Sequence, residues 1–428
     1  MITLRRQPNV SIPAAVAVVA LLAACAPTPP VTPPVDPSTC VRTVRTISPP
    51  ATKSATNPRI GANGAIGVYQ VNDGTGPALP ISFGLFSASF NIYRYDGVAD
   101  TTSRITPLGT TSIDPDVSRD GSVAVFATVT NSGSPSANLG IDVWTSAIVA
   151  ITRITGTAAG RSVEPVVSGD GRYVAFVSDA TTLITGDPDV NANRDLFVYD
   201  RVTSTMRRMT DQSVPWQTVS ALFGPSALRI SDDGSTIILA RIRNDNFHGE
   251  LLSINRSSGA ITTIADLTSS PSPNPDPLAG PIQPMILTGD PSADGSVVTF
   301  ATATVVPGVT PDPNGAFDVF VWTRAGSFTI QLTSTPLMLP IGAGPISIPT
   351  AVTADGRYVS FISNIAVPSD HTTSPPALLP PPGIATYLYD RYTSTYTSIA
   401  PHIGYDASGT AAAVVGTSGN DVKASICA

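Results

Sequence analysis

Four charged residues recur at one offset in this sequence: Arg59, Asp116, Arg229 and Asp290 each stand two residues before the first position of a repeated short phrase. Arginine and aspartate in equivalent places of neighbouring repeats can pair. Such pairs either set register and stabilise the array, or line a polar channel that holds a small ligand or water. A second group sits in one loop, where Asp187, Asp189, Asn191 and Asp195 place oxygen side chains at alternate positions. A hard cation such as calcium gathers carboxylates and carbonyls in that way. The same spacing also suits Asx turns that shape an exposed loop. A shorter relative, Asp312 to Asp318, recurs further on. Neither stretch is followed by the bidentate Glu of a full calcium loop. The expected cofactor is therefore none, with structural calcium at the 187–195 loop as the alternative.

Catalytic equipment is otherwise thin. The three histidines, His248, His371 and His402, fall in no His-x-His or His-Glu-x-x-His arrangement. No Gly-x-Ser-x-Gly elbow is present, and no Gly-rich phosphate loop follows a strand and opens a helix. The chain carries a net charge of -7 and only 13% charged residues, with no basic stripe. That balance argues against nucleic acid and against electrostatic docking on anionic lipid.

The phrase that sets the offset is Ser/Thr-x-Asp-Gly followed by a β-branched and aromatic run. It stands at Ser118–Gly121, Ser168–Gly171, Ser231–Gly234, Ser292–Gly295 and Thr353–Gly356, with weaker copies at Gly61–Gly64 and Asp406–Gly409. Successive glycines lie 50 to 63 residues apart, so the repeat is a whole structural unit. Asp-Gly between apolar runs signals a hairpin, because Gly accepts positive φ. The unit from Val163 to Thr210 shows four strands: 163–168, 172–178, 195–200 and 206–210. Its aromatic, five residues after the turn glycine, recurs as Phe126, Phe176, Phe300 and Phe361, with Tyr69, Leu239 and Val414 in the other copies. These bulky residues are expected to pack between units.

Four antiparallel strands in each period describe an all-β, seven-bladed β-propeller of four-stranded blades. The last unit offers only three strands, near 402–406, 411–415 and 421–425. The segment 43–48 aligns with 205–210 and is expected to close the last blade from the N-terminus. The phrase resembles the TolB-like, WD-like propeller repeat of bacterial envelope proteins, over residues 58–426. The Trp and Pro of that family's motif are missing here. The resemblance implies fold far more than role.

Residues 1–24 read as a signal peptide, with Arg5 and Arg6 before an apolar stretch, 14–24, that is too short to span a bilayer. Leu22-Ala23-Ala24-Cys25 resembles a lipobox, which implies that Cys25 is acylated. Residues 25–39 form a tether with six prolines, extending roughly 3 Å per residue. The propeller domain occupies 40–428. The expected protein is a non-catalytic, lipid-anchored, extracytoplasmic scaffold, monomeric, that binds an unidentified envelope protein and touches the membrane through its lipid alone. The recognition surface would be the loops 71–90, 211–227, 266–287 and 363–384, with Trp216, Phe223, Phe83 and Phe86 as exposed anchors. The alternative is a surface propeller that binds or cleaves polysaccharide.

With Cys25 assigned to lipid, Cys40 and Cys427 remain. Aligned on the blade pattern they fall at adjacent positions, those of Val202 and Arg201, in the hairpin between third and fourth strands. In the composite last blade no peptide bond joins these ends. A disulfide there would replace the hairpin and stabilise by at most about 5 kcal/mol. Two free thiols or an intermolecular bridge are the alternatives. Non-reducing peptide mapping of the exported protein is expected to recover Cys40 and Cys427 linked within one chain. Separate thiol peptides would remove the bridge.

Overall fold

The computed structural model describes residues 55–401, except 62–65, 76–78, 82–85, 130–137, 148, 157–159, 188, 190–192, 211–214, 219–226, 245–247, 269–284, 310–316, 327, 334–346, 364–366, 369–377 and 380–384. Every regular element among the described residues is a β-strand. The strands form a succession of four-stranded antiparallel sheets, here blades 1 to 6. Blade 3 is typical, with strands Ser162–Val167, Tyr173–Ser178, Asp195–Asp200 and Thr205–Arg208 paired in chain order. Blades 1 and 6 each carry an extra hairpin between second and third strands, Leu79–Ile81 with Phe86–Ala88 and Val367–Pro368 with Leu378–Leu379. Blade 4 has a broken first strand, since Trp216–Gln217 and Leu228–Ile230 both pair with Thr236–Arg243. The seventh unit and the segment 43–48 lie outside the described residues.

Burial follows position within the blade. Second strands are sandwiched on both faces, so Tyr173–Ser178, Val297–Thr302 and Tyr358–Ser363 are buried at every residue. They read as continuous apolar runs for that reason. Fourth strands such as Thr101–Arg104 lie at the rim and are polar and open. Each repeat aromatic packs on the blade before its own. Phe126 clusters with Val68 and Ile92 of blade 1, and Phe176 with Val125 and Ile141 of blade 2. Phe300 meets Ile238 and Leu251 of blade 4, and Phe361 meets Val319 and Val321 of blade 5. Three of these aromatics also stack on a cross-strand neighbour: Phe176 on Phe197, Phe300 on Phe320 and Phe361 on Tyr387.

The repeated phrase is a closed hydrogen-bonded turn. In each of five copies the Ser or Thr hydroxyl donates to the Asp carboxylate at 2.5 to 2.8 Å. The same hydroxyl accepts the N–H that opens the second strand, as from Val123 to Ser118 at 3.0 Å. The Asp also accepts the N–H of the residue after Gly. The Gly holds φ near +70°, at 70° in Gly121 and 66° in Gly234. A Cβ there would meet the preceding blade: Ile66 Cβ at 2.4 Å from Gly121, and Tyr173 Cδ2 at 2.5 Å from Gly234. The turn glycine is therefore an interblade contact as well as a turn former.

Gly234→Ala is expected to destabilise by more than about 1–2 kcal/mol, the cost of a left-handed L-residue, because the methyl also strikes Tyr173. Ser231→Ala should cost about 1–3 kcal/mol by leaving the Thr236 N–H without its acceptor. Urea denaturation checks both. Losses no larger than those of a rim substitution would contradict the interlocked turn.

Candidate functional site

Successive antiparallel strands sort the connections onto two ends of the array. One end holds the repeated turns and the hairpins between third and fourth strands, such as 118–122, 168–172, 201–204 and 391–394. At the other end, among the described residues, the strands depart for the connections 73–89, 179–194, 303–317 and 364–384 within blades, and 268–286 and 332–346 between them. These are the turn face and the loop face.

The turn face is tied together. Arg119 N–H donates to Gly169 O and Gly169 N–H to Asp232 O, joining the turns of blades 2, 3 and 4. Asp233 N–H donates to Ala293 O and Ala293 N–H to Ala354 O, joining those of blades 4, 5 and 6. Gly169 brings no side chain to this crowd, and Arg119 reaches past it to Asp232 at 3.2 Å. A second device was not anticipated from the sequence. The residue just after the third strand is Arg in four blades, and its guanidinium donates to the carbonyl of its own turn glycine. The pairs are Arg201 with Gly171, Arg256 with Gly234, Arg324 with Gly295 and Arg391 with Gly356. Each of the last three also grips the blade before, through the Tyr173 ring, Thr236 Oγ1 and Thr323 Oγ1 respectively. The recurrence of Arg at that register is visible in the sequence once the strand ends are known.

First strands converge on the axis, and the residues two before each turn meet there. Arg59 Nε lies 3.9 Å from Asp116 Oδ1, and Arg229 Nε lies 2.9 Å from Asp290 Oδ1. All four are nearly fully buried. Burial, with the nearby Arg59 charge adding, pulls the Arg229 guanidinium down to about 10. Burial pushes the Asp116 carboxyl up, against the pull of Arg59 and the Val167 N–H. Asp116 feels Asp290, and Arg229 feels both Arg59 and Asp116, so the two pairs form one cluster. Blades 3 and 6 contribute Val166 and Ala351 at the same register. Opposite charges in a buried centre are worth most to each other as a set, and their removal one at a time is costly.

Two residues further towards the loop face lies a belt that the sequence reading missed. Asp114 and Glu164 occupy β-bulges with φ of 53° and 55°, each before a proline. At Asp114 the backbone N–H is turned towards blade 1 and donates to Gln70 Oε1 at 3.1 Å. Ala227 N–H of blade 4 donates to Glu164 Oε2 at 3.1 Å. Thr218 Oγ1 donates to Glu164 Oε1 and is itself held by Arg194. Asp114 is half-buried by area, yet protein crowds it from several blades. Burial, with the charge of Glu164 adding, pushes its carboxyl up to about 6.

The remaining expected residues fall as follows. In the 187–195 loop, the guanidinium of Arg208 lies 3.5 Å from Asp187 and 3.4 Å from Asp195. Thr210 Oγ1 donates to Asp195. Asp189 is buried, and Asn191 lies outside the described residues. Among the described residues no three His, Cys, Asp or Glu side chains gather as a metal site. Cys25, Cys40, Cys427, His371, His402, Phe83 and Phe223 also lie outside them. Trp216 is no exposed anchor: it is 1% exposed, in the core between blades 3 and 4, with Arg241 over its ring. A short strand in the broken first strand of blade 4 pulls it inward. His248 Nδ1 sits 3.0 Å from Asp266.

No family model matches the chain, and no curated protein matches it in sequence. Among solved structures it is similar to TolB from Acinetobacter baumannii, at 12% identity and a TM-score of 0.41, covering 79% of this chain and 64% of that one. It is similar also to an oligogalacturonate lyase in complex with manganese, at 12% identity and a TM-score of 0.44, covering 85% of this chain and 88% of that one. A third is the β-propeller domain of the Trilobed protease from Pyrococcus furiosus, at 10% identity and a TM-score of 0.44, covering 81% and 83%. The structural neighbours thus include TolB proteins and other β-propeller proteins.

Arg229→Met is expected to destabilise by about 3–5 kcal/mol, because it leaves the buried Asp290 without its partner charge. The paired change Arg229→Met with Asp290→Leu should cost less than either single change. A double-mutant cycle in urea measures this, and strictly additive losses would refute the pairing.

Proposed function

We propose that the protein is a non-catalytic scaffold that presents its loop face to a protein partner outside the cytoplasm, held at the membrane by a lipid on Cys25. The observation that carries this reading is the division of the two faces. The turn face is sealed by hydrogen bonds and arginine clasps, while, among the described residues, the strands depart for the long connections at the opposite end. Variable loops on a rigid frame are the usual site of recognition. The axial charges are paired and buried, which supports a binding role over a catalytic one.

Closure by a seventh blade belongs to the same reading. Segments 402–406, 411–415 and 421–425 would form its first three strands and 43–48 its fourth, with Cys40 and Cys427 bridged beside them. Blade 1 supports this. Its face away from blade 2 buries Tyr69, Val71 and Tyr95 in a cluster drawn, among the described residues, from blade 1 alone. An apolar face of that kind calls for a cover. The closed ring is expected to be monomeric.

Affinity capture from detergent-solubilised envelope tests the scaffold reading, using the full chain and a variant with residues 364–384 replaced by a short Gly-Ser turn. The full chain is expected to retain a specific protein that the shortened variant loses. Equal capture by both would remove these loops from recognition. Saturable binding or product release on a glycan array, without a protein partner, would shift the reading to polysaccharide.

A further inference from the structure

We infer that the turn face rests on the lipid surface, through a ring of apolar tips in the hairpins between third and fourth strands. The inference builds on the reading that a lipid on Cys25 keeps a bilayer at hand, and it says which face meets that bilayer. Five large apolar side chains among the described residues are 71% to 87% exposed: Val98, Leu108, Val149, Val202 and Tyr392. Leu108 lies towards the loop face, between the fourth strand of blade 1 and the first of blade 2. The other four stand at the opposite end, each in the third-to-fourth hairpin of its blade: 1, 2, 3 and 6. Ile261, half exposed, opens the fourth strand of blade 4 at the same end. A single exposed apolar residue is ordinary on a protein surface. Five blades that each carry one at the same end are a pattern.

The hairpins hold these tips outward. In blades 1, 3 and 6 the third strand ends in Asp96, Asp200 and Asp390. Each carboxylate accepts the N–H of the residue two further on, from Val98 at 3.0 Å, Val202 at 2.9 Å and Tyr392 at 2.9 Å. This Asx turn fixes the backbone of the tip and leaves its side chain in solvent. Blade 2 has no such Asp, and its tip comes two residues later, at Val149 with φ of 48°. Blades 1, 3 and 6 give that left-handed place to Asp100, Ser204 and Ser394, and blade 4 gives it to Gly259. Positive φ is sterically poor for a β-branched residue. Neither burial nor backbone conformation favours a valine there, but contact with an apolar medium outside the protein does.

Charge at the tips suits a lipid surface too. The whole chain stands at -7, yet the strand-end carboxylates are matched by arginines of their own blades. Asp96 pairs with Arg94 at 3.2 Å, Asp200 with Arg172 at 2.8 Å and Asp390 with Arg357 at 2.7 Å. Arg357 also lies over the Tyr392 ring at 5.2 Å, and tyrosine beside a cation is at home at headgroup depth. Because the tips occupy like hairpins of a repeated unit, they end at one level, separated by the width of a blade. A protein partner is gripped by a contiguous central cluster. Separate apolar points at one level fit a flat medium that is apolar just below its headgroups. The proposed closure points the same way: Cys40 takes the register of Val202, so the tether enters among these hairpins, between Tyr392 and Val98. The loop face is then turned outward, towards a partner, and the lipid is not the chain's sole contact with the membrane.

The test uses the whole exported chain with its lipid, in phosphatidylcholine vesicles whose acyl chains carry bromine as a quencher. The three native tryptophans, Trp144, Trp216 and Trp322, are all buried, so Tyr392→Trp adds the one exposed reporter. On vesicles its added emission is expected to shift to the blue and to lose most of its intensity. Leu108→Trp, on the loop face, should keep its emission unchanged. Changing Val98, Val149 and Val202 together to serine should restore most of the intensity in Tyr392→Trp. All three are exposed, and urea denaturation checks that the fold is kept. Equal quenching at positions 108 and 392, or none at 392, overturns the docking. Emission at 392 that moves only when a captured envelope protein is added overturns it as well, and gives the face to a protein. A chain that leaves the vesicles removes the lipid on Cys25 and this inference with it. Failed capture of a partner by a chain that docks counts against the scaffold reading alone.

Discussion

A sheet buried on both faces has no surface left to solvate its polar groups, and in this protein that constraint falls hardest where the blades converge. Backbones there approach so closely that a methyl group on a turn glycine would strike the residue opening the second strand of the preceding blade. The same contact recurs from blade to blade, at Ile66, Val123, Tyr173, Thr236 and Val297. One local rule, applied at each junction, thus fixes the distance and angle between neighbours. The repeated phrase persists because it satisfies that rule: the Ser or Thr hydroxyl and the Asp carboxylate absorb the N–H groups that the tight turn leaves over.

Three belts then hold the convergence, each at its own depth. Nearest the turn face, backbone amides and arginine clasps join turn to turn. Next come the paired charges at Arg59, Asp116, Arg229 and Asp290, where blades 3 and 6 supply only Val166 and Ala351. Nearest the loop face, the bulged strands bond to their neighbours, Asp114 to Gln70 and Glu164 to Ala227. Between blades 5 and 6 the first strands bond directly, through Asp290 N–H to Thr350 O and Val352 N–H to Asp290 O. Side-chain belts thus serve where the strands stand apart, and main-chain bonds where they touch. Rigidity of this order suits a frame that holds loops in fixed relation, as recognition requires.

Much was legible in the sequence because the signals were local. Asp-Gly before an apolar run marks a turn whatever surrounds it, and five good copies at a regular period establish the repeat. The third strand of blade 3 runs Asp195–Asp200, the span that its apolar pattern marks. The interblade packing of Phe126, Phe176, Phe300 and Phe361 followed from their fixed distance after the turn. Arg59, Asp116, Arg229 and Asp290 could be singled out because register alone aims that position at the axis.

Other features depended on contacts that no local pattern encodes. Trp216 lies in a Pro- and Ser-containing stretch that reads as open loop, yet a pairing of only two residues with Arg243 and Ile242 carries it into the core. The loop at 187–195 has the spacing of a cation site, and only the fold brings Arg208 of the fourth strand within 3.5 Å of Asp187 and 3.4 Å of Asp195. Asp114 and Glu164 look like ordinary acids before proline; the left-handed bulge sets the Asp114 N–H against blade 1 and the Glu164 carboxylate against blade 4. By itself the sequence determined the unit, its turns, its strand order and which positions face inward, since these rest on short-range sterics and on the two-residue period of a strand. The tertiary structure decided which charges become partners. Those outcomes are set by distances between segments some 50 to 60 residues apart, and no neighbour in the chain reports them.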